Sequence, residues 1–496
     1  MSGAPTYEAA AAAGDWNAVE SILSAAGPVT ARDVLDRLSL IQYERQDFRA
    51  CERTLERLLA LAPDAPLEIH QRLSKAKAAD GRPDEARAVI ARAAAAHPAA
   101  TEFVAAHADM LPPDEAVREL KKHLHIVGGD PGRTAYTLLR ISTTRAAGRR
   151  AERGLPPHGT SWPDTYQWPD HEALPELKDA LTNEIVAGST RASVWADLAC
   201  VALADGNWER AEECFAKLRK GPKRSAADFH AFGRAFHTGL DALSDAEIVA
   251  GLAPVERLTA PAPQSGVSIF IGSDPVYFAR FTLPLLRRAE AAAMPLDVNV
   301  HILDGTPAVW AEIAHAVGEL KSLRVTLTTE ASGAASQGGH YARLYYHAVR
   351  YVRVFEELKR ARRPLWVLDA DVRLLRDPRA LLASIERYDL AINTRPAELS
   401  PSLKLTAACV GLAPTPRGLE FARRVAAYIT HWKNKGAWGW GIDQVALFSS
   451  YAHMSAEDRQ PSTLFLDDTA VNWRTGDNGV IKLMPGMDKY SAGSAA

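Results

Sequence analysis

The feature of this sequence that most restricts its fold is a short apolar run that ends on two carboxylates. Residues 365–368 read Leu-Trp-Val-Leu, and Asp369 and Asp371 follow. A continuous apolar run of this length is typical of a strand that is buried on both faces of a helix-covered sheet. Because a carboxylate without a partner is costly inside such a strand, we expect both acids to lie at its end.

The two acids predict a site for a divalent metal. In an open α/β sheet the carboxyl ends of the strands border the crevice in which ligands bind. Carboxylate oxygens suit Mg²⁺ or Mn²⁺, and these ions commonly bridge to phosphates. Asp369 and Asp371 are therefore candidate metal ligands, with Ala370 between them at the same site. The alternative is a solvated turn, because Asp-x-Asp also occurs by chance.

A long helical pattern precedes the strand. Its apolar residues recur at three- and four-residue steps, at Leu344, Ala348, Tyr351, Phe355 and Leu358. This stripe predicts a buried helix face. Arg343, His347 and Arg350 lie on an adjacent face, so one helix could present all three to a polyanionic ligand. The alternative is a solvated basic edge.

Further β-rich runs alternate with helical patterns, which is the signature of a mostly parallel sheet. They occupy residues 267–274, 297–303, 323–327 and 388–393. The first run ends in Gly272, Ser273 and Asp274, and Tyr277 follows. These four residues are candidate nucleotide contacts, because small residues let the backbone approach a nucleotide and an acid can accept from a ribose or base. Asp274 could instead only cap the turn.

The order of these segments resembles a known family of transferases. A Tyr-Ala-Arg-Leu helix at residues 341–344, a Leu-Asp-Ala-Asp-Val strand end and an Arg-Asp-Pro turn at residues 376–378 are similar to the glycogenin and bacterial galactosyltransferase-like family. They also resemble plant-type nucleotide-diphospho-sugar transferases. The likeness covers roughly residues 266–486. It implies a Rossmann-like GT-A domain that binds a nucleotide sugar, a UDP-sugar first of all, with Mn²⁺ or Mg²⁺, and that transfers the sugar with retention.

The resemblance names additional site residues. Residues 405–412 occupy the place of the family's small-residue segment beside the sugar and acceptor, although its usual Asn is absent. Asp443 and Gln444 match an Asp-Gln element that addresses sugar hydroxyls. Asp443 therefore joins the two acids of the strand as a catalytic candidate, and Gln444 is a binding candidate. Asp443 could instead be the N-cap of the helix that follows.

The C-terminal segment departs from the family pattern. Members often end with a histidine that ligates the metal and a lysine that binds the pyrophosphate, yet no histidine follows His453 here. Lys482 could contact the phosphates. Oxygen ligands that could replace the histidine are Asp467, Asp468, Asn472 and Asp477. Trp473 could stack on a sugar or base, or only pack.

The sequence before Val267 differs in kind. It is rich in Ala, Leu, Glu and Arg with helical spacing, and we expect no strand there. A turn signal followed by a bulky residue, and then by a small one, recurs as Trp16 with Val19, Phe48 with Cys51, Pro83 with Ala86 and Trp208 with Ala211. The first two steps of this pattern are 32 and 35 residues. Such a period is typical of tetratricopeptide repeats.

The predicted fold class is therefore α plus α/β. Residues 1–258 form a tetratricopeptide-like helical repeat domain in this prediction, residues 259–266 a linker, and residues 267–490 the GT-A domain. Repeat arrays usually bind a peptide or protein in a concave groove, which predicts a protein acceptor. A bacterial surface or flagellar subunit is one guess for that acceptor. The helices could instead only buttress the second domain.

Composition limits the partners and the compartment. Lys and Arg total 58 against 60 acids, a formal net charge of -2, which leaves no simple case for nucleic-acid binding. The four cysteines lack metal-type spacing, so we expect reduced thiols in the cytoplasm. We see no signal peptide and no apolar run of about 18 residues, and therefore expect no transmembrane segment.

Three functions are compatible with the sequence. The first is a metal-dependent glycosyltransferase that modifies a protein recruited by the repeats. The second keeps this chemistry but has a glycan or lipid-linked acceptor. The third is a non-catalytic binding protein whose transferase domain is inactive, which the missing terminal histidine would favour.

Overall fold

A computed structural model of the chain describes residues 28–98, 100–123, 192–204, 206–219, 229–259, 266–395, 400–466, 470–472 and 479–483, with a few isolated positions besides. The chain divides into two compact units. The first consists of Met1–Arg145 and Asp179–Ala187, and the second of Ala146–Lys178 and Gly188–Ala496. No helix of the described residues is long and apolar enough to cross a lipid bilayer.

The described part of the first unit is helical, and each helix packs against the next along the chain. The helices are α1 Pro28–Glu44, α2 Phe48–Leu61, α3 Leu67–Ala79, α4 Pro83–Ala96, α5 Thr101–Ala108 and α6 Pro113–His123. Gln46 and Gly81, in the turns before α2 and α4, have left-handed backbones with φ of 62° and 80°. Cys51 and Ala86 are 0% and 1% exposed, as the small residues of the predicted pattern should be. Trp16 lies outside the described residues.

The described residues of the second unit form an eight-stranded, mostly parallel sheet with the order β1-β4-β3-β2-β5-β8-β7-β9. Its strands are β1 Val255–Arg257, β2 Ser268–Ser273, β3 Asp297–Leu303, β4 Arg324–Glu330, β5 Leu365–Leu368, β7 Leu390–Thr394, β8 Leu405–Leu412 and β9 Thr463–Leu466. A smaller sheet contains β6 Val372–Leu374, β10 Val471–Asn472 and β11 Ile481–Leu483. Strands β4, β3, β2 and β5 are parallel, whereas β8 is antiparallel to both of its neighbours.

Strand β1 contradicts the expectation that no strand precedes Val267. It pairs antiparallel with β4, with Val255 opposite Glu330. All three of its residues are exposed, and a run this short shows neither an apolar stretch nor an alternation.

The helices of the second unit come before, between and after the strands. They are α7 Ala192–Ala204, α8 Trp208–Arg219, α9 Arg234–Asp241, α10 Asp245–Val249, α11 Pro275–Tyr277, α12 Leu283–Ala291, α13 Pro307–Gly318, α14 Gly339–Ala361, α15 Arg379–Ala383, α16 Pro401–Lys404, α17 Pro416–Asn434 and α18 Ile442–Ala456. A π-helical turn, Phe278–Thr282, joins α11 to α12. The apolar stripe predicted on α14 is buried, from Leu344 to Leu358.

Helices α7 to α10 belong to the same unit as the sheet, although the sequence predicts a repeat domain that extends to residue 258. Hydrogen bonds attach the segment to α17 and α18. The Ala231 amide donates to the Tyr428 hydroxyl (3.0 Å), and Ser449 Oγ donates to the Ala231 carbonyl (2.6 Å). Thr430 Oγ1 donates to the Ile248 carbonyl (2.7 Å). The turn before α8, with Gly206 at φ 74°, has the predicted repeat pattern, but α7 and α8, which pack against each other, belong to the second unit.

The centre of the sheet is packed around Trp366 of β5, which is 0% exposed. Its indole Nε1 donates to the Leu382 carbonyl (3.0 Å). On the neighbouring strand β8, Gly411 leaves room for the ring: a Cβ there would lie 2.9 Å from Trp366 Cε2 and 3.1 Å from Ala391 Cβ. A side chain at this position would therefore overpack the sheet.

We expect Gly411→Ala to lower the free energy of unfolding by about 1–3 kcal/mol, because the buried indole cannot move aside without strain. Equilibrium denaturation by urea measures this change. The matched control is Gly318→Ala in α13, where a Cβ meets nothing within 4 Å. That variant should match the wild type or be more stable by up to about 1 kcal/mol. Equal stability of both variants would contradict the packing argument.

Candidate functional site

A cleft of ≈ 150 Å³ lies at the carboxyl ends of β2 and β5. These strands are parallel neighbours, with Ile271 opposite Leu368, so the residues that follow them emerge side by side. The cleft is lined by Gly272, Ser273, Asp274, Tyr277, Arg343, Tyr346, His347, Arg350, Asp369, Ala370, Asp371 and Trp440. The predicted metal ligands thus share one cleft with the predicted nucleotide contacts and with Arg343.

Asp369 and Asp371 lie immediately beyond β5, as predicted for two acids that a buried strand cannot contain. The Asp369 amide donates to the Ala408 carbonyl (2.9 Å), which fixes the start of the turn against β8. Asp371 is only 8% exposed, so it is not part of a solvated turn. Ala370, between the two acids, is also buried.

Arg350 links the two sides of the cleft. Its guanidinium donates to the Asp369 carboxylate, to Asp443 Oδ2 (3.2 Å) and to the Ala407 carbonyl (3.2 Å). The side chain is buried, so a solvated basic edge, the alternative considered for it, is wrong. Arg343 is exposed, and its Nε donates to the Gly339 carbonyl (3.1 Å). No carboxylate of the described residues forms an ion pair with Arg343.

Asp443 lies behind the cleft wall and is 0% exposed. Besides Arg350, it accepts from the Gln444 amide (2.8 Å), and its Oδ1 lies 2.7 Å from His347 Nε2. This last contact is not aligned as a linear hydrogen bond. The N-cap of α18 is Gly441, at φ 83°, so the interpretation of Asp443 as the N-cap is wrong. Burial raises the pKa of Asp443, but His347 and Arg350 more than compensate, and the pKa lies below its ordinary value.

The sequence left two alternatives for Asp274, a position at the site and a cap of the turn, and the structure shows both. Its carboxylate accepts from the Tyr277 amide (2.8 Å) and so caps the short helix α11. The same residue lines the cleft. A capping role and a position at the site are therefore compatible.

Gln444 and Lys482 are not among the residues that line the cleft. Lys482 lies in β11 directly opposite Arg373 of β6, with Asn472 of β10 on its other side. Asp467, Asp468, Trp473 and Asp477 lie outside the described residues. In the part of the chain that is described, no three His, Cys, Asp or Glu side chains gather into a metal-binding group.

Two aromatic residues of the cleft were not predicted as site residues. Trp440 stacks on the His347 ring, with the ring centroids 4.7 Å apart and the planes at 6°. The Tyr346 hydroxyl donates to Asp304 Oδ2 (2.8 Å), and Asp304 also accepts from Ser332 Oγ. Tyr346 stands three residues after Arg343 and Trp440 three before Asp443, so their proximity to predicted site residues was the available signal.

We expect Asp443→Asn to remove a pH-dependent part of the stability. Since the pKa of Asp443 lies below the ordinary value of 3.8, its charge stabilises the fold above about pH 4, and this contribution is lost as the pH falls through the folded-state pKa. The difference in unfolding free energy between wild type and variant should therefore be largest near pH 7 and shrink towards pH 3. Urea titrations at several pH values measure it. A difference independent of pH would contradict the assignment of an ionised Asp443.

No protein-family model matches the sequence, and a search of curated proteins finds no match.

Proposed function

We propose that this chain is a metal-dependent glycosyltransferase of the GT-A type, which moves a sugar from a nucleotide-diphosphate sugar to an acceptor. One observation carries the proposal. Asp369 and Asp371, which follow β5, line the same cleft as Gly272, Ser273 and Asp274, which follow β2. This cleft therefore combines oxygen ligands for a hard cation with a loop of small residues that a nucleotide can approach closely.

Arg343 is the cation available to the diphosphate. It lines the cleft, is exposed, and has no carboxylate partner among the described residues. A guanidinium offers a planar pair of donors that matches phosphate oxygens. Arg350 differs, because two carboxylates already engage it.

Asp369 and Asp371 would hold the divalent metal. Two carboxylates fit Mg²⁺ or Mn²⁺, because such ions in phosphate sites are usually bound by one or two carboxylates and complete their shell with water and substrate phosphates. The bound ion would supply positive charge to the departing diphosphate. The buried backbone around β5 keeps the two acids in place for this role.

The proposed acceptor is a protein or peptide bound by tetratricopeptide-type repeats in the first unit. Helices α2 and α4 begin at Phe48 and Pro83, 35 residues apart, and the small residues three positions later are buried in both. This repetition supports stacked helix pairs, which present a groove to a partner.

A thermal-shift screen tests the donor site. Purified protein is heated with UDP-, GDP-, CMP- and dTDP-sugars, each with and without Mn²⁺. A ligand at 100 times its Kd should stabilise the fold by about 2.7 kcal/mol. We expect a metal-dependent rise in Tm with one class of nucleotide, UDP-sugars first. No shift with any of them would contradict the proposed function.

Removal of the two acids should abolish the metal dependence. In Asp369→Ala and Asp371→Ala variants, we expect the Mn²⁺-dependent part of nucleotide binding to fall at least tenfold, because the ion loses a ligand of opposite charge. Isothermal titration with the nucleotide found in the screen measures it. Glu312→Ala, which removes an exposed carboxylate on α13, should bind like the wild type. Unchanged binding by both aspartate variants would exclude their metal role.

A further inference from the structure

His347 lines the cleft and Asp443 lies behind it, and the proposed function assigns this histidine–aspartate pair no role. Asp443 Oδ1 lies 2.7 Å from His347 Nε2, and the carboxylate is fully buried whereas the His347 ring lines the cleft. The Asp443 carboxylate can only accept, so at 2.7 Å it favours the tautomer with the proton on Nε2, although the contact is not a linear hydrogen bond. The lone pair is then on Nδ1 of a ring that lines the cleft. A buried acid that selects the tautomer of a histidine is an arrangement suited to a general base.

Trp440 packs on one face of the His347 imidazole. The two rings are parallel within 6° at 4.7 Å, so the His347 ring has few alternative orientations. Trp440 itself is 66% exposed and also lines the cleft. The ring is therefore positioned before a substrate arrives, and this lowers the cost of reaching a reactive geometry.

We infer that His347 removes the proton from the acceptor hydroxyl, an inference that rests on the proposed glycosyl transfer. The hydroxyl proton passes to His347 Nδ1 while the acceptor oxygen bonds to the anomeric carbon. The bond between that carbon and the diphosphate oxygen breaks, and its electron pair leaves with the nucleoside diphosphate. The Nε2 proton stays on His347, and the Asp443 carboxylate stabilises the resulting imidazolium. A base on the acceptor serves direct displacement, so we expect inversion rather than the retention that the resemblance implies.

His347→Gln separates proton removal from binding, with water and azide as the two probes and the nucleotide sugar identified by thermal shift as donor. Water must lose a proton to form the product, so donor hydrolysis should fall about 10²- to 10⁴-fold. Azide has no proton to lose. Formation of the glycosyl azide should therefore stay within a few-fold of the wild-type rate, and NMR of this product should show an inverted anomeric centre.

The controls distinguish this role from a structural one. His315→Gln changes an exposed histidine on α13 and should hydrolyse the donor like the wild type. Unchanged Tm and nucleotide Kd in His347→Gln would show an intact fold and donor site, and His347→Asn serves as the second variant if Gln is not accommodated. Wild-type hydrolysis by the variant, equal losses with water and azide, or a retained configuration would overturn the inference. A wild-type protein that binds no nucleotide sugar would refute the proposed function itself, and the inference with it.

Discussion

The buried guanidinium of Arg350 is the interaction on which the cleft depends. It connects α14 to the acid after β5, to the first turn of α18 and to a carbonyl of β8. Burial lowers the pKa of Arg350, but Asp369 and Asp443 raise it by more, so the guanidinium stays charged. Removing either partner of such a buried pair typically costs about 3–5 kcal/mol, because an uncompensated charge is left behind. The positions of Asp369 and Asp443 are therefore coupled through one side chain.

A second buried charge attaches α14 to strand β4. Glu330, at the end of β4, accepts from the Tyr345 hydroxyl (2.9 Å) and from Arg353 Nε (2.6 Å), both on α14. His301 Nε2 lies 3.3 Å from the same carboxylate. Burial raises the pKa of Glu330, but these partners keep it below the ordinary value. With two polar anchors, α14 can neither rotate nor slide freely, which keeps the face with Arg343 and His347 turned towards the cleft.

The strands that form the site were predictable because their sequence signal is local. The apolar run at residues 365–368 coincides with β5, and the run at 297–303 coincides with β3. The pairing of Arg350 with Asp443 was not predictable. Spacing along a helix shows which side chains share a face, but it does not show that a carboxylate from α18 lies opposite that face. The same reason explains α7 and α8, whose turn has the predicted repeat pattern although both helices belong to the second unit, with Trp208 against Phe448 of α18.

The topology of the sheet explains why these groups meet where they do. The chain leaves β2 towards β3 and β4 on one side, then returns through α14 to β5 on the other side of β2. Strand connections thus diverge between β2 and β5, and a crevice opens at such a switch point in open α/β sheets. The loops after both strands border it, and the crossover helix must pass above it. Hence Asp274, Asp369 and the polar face of α14 converge although they are distant in sequence, and a later part of the chain adds Trp440 to the cleft and Asp443 behind it.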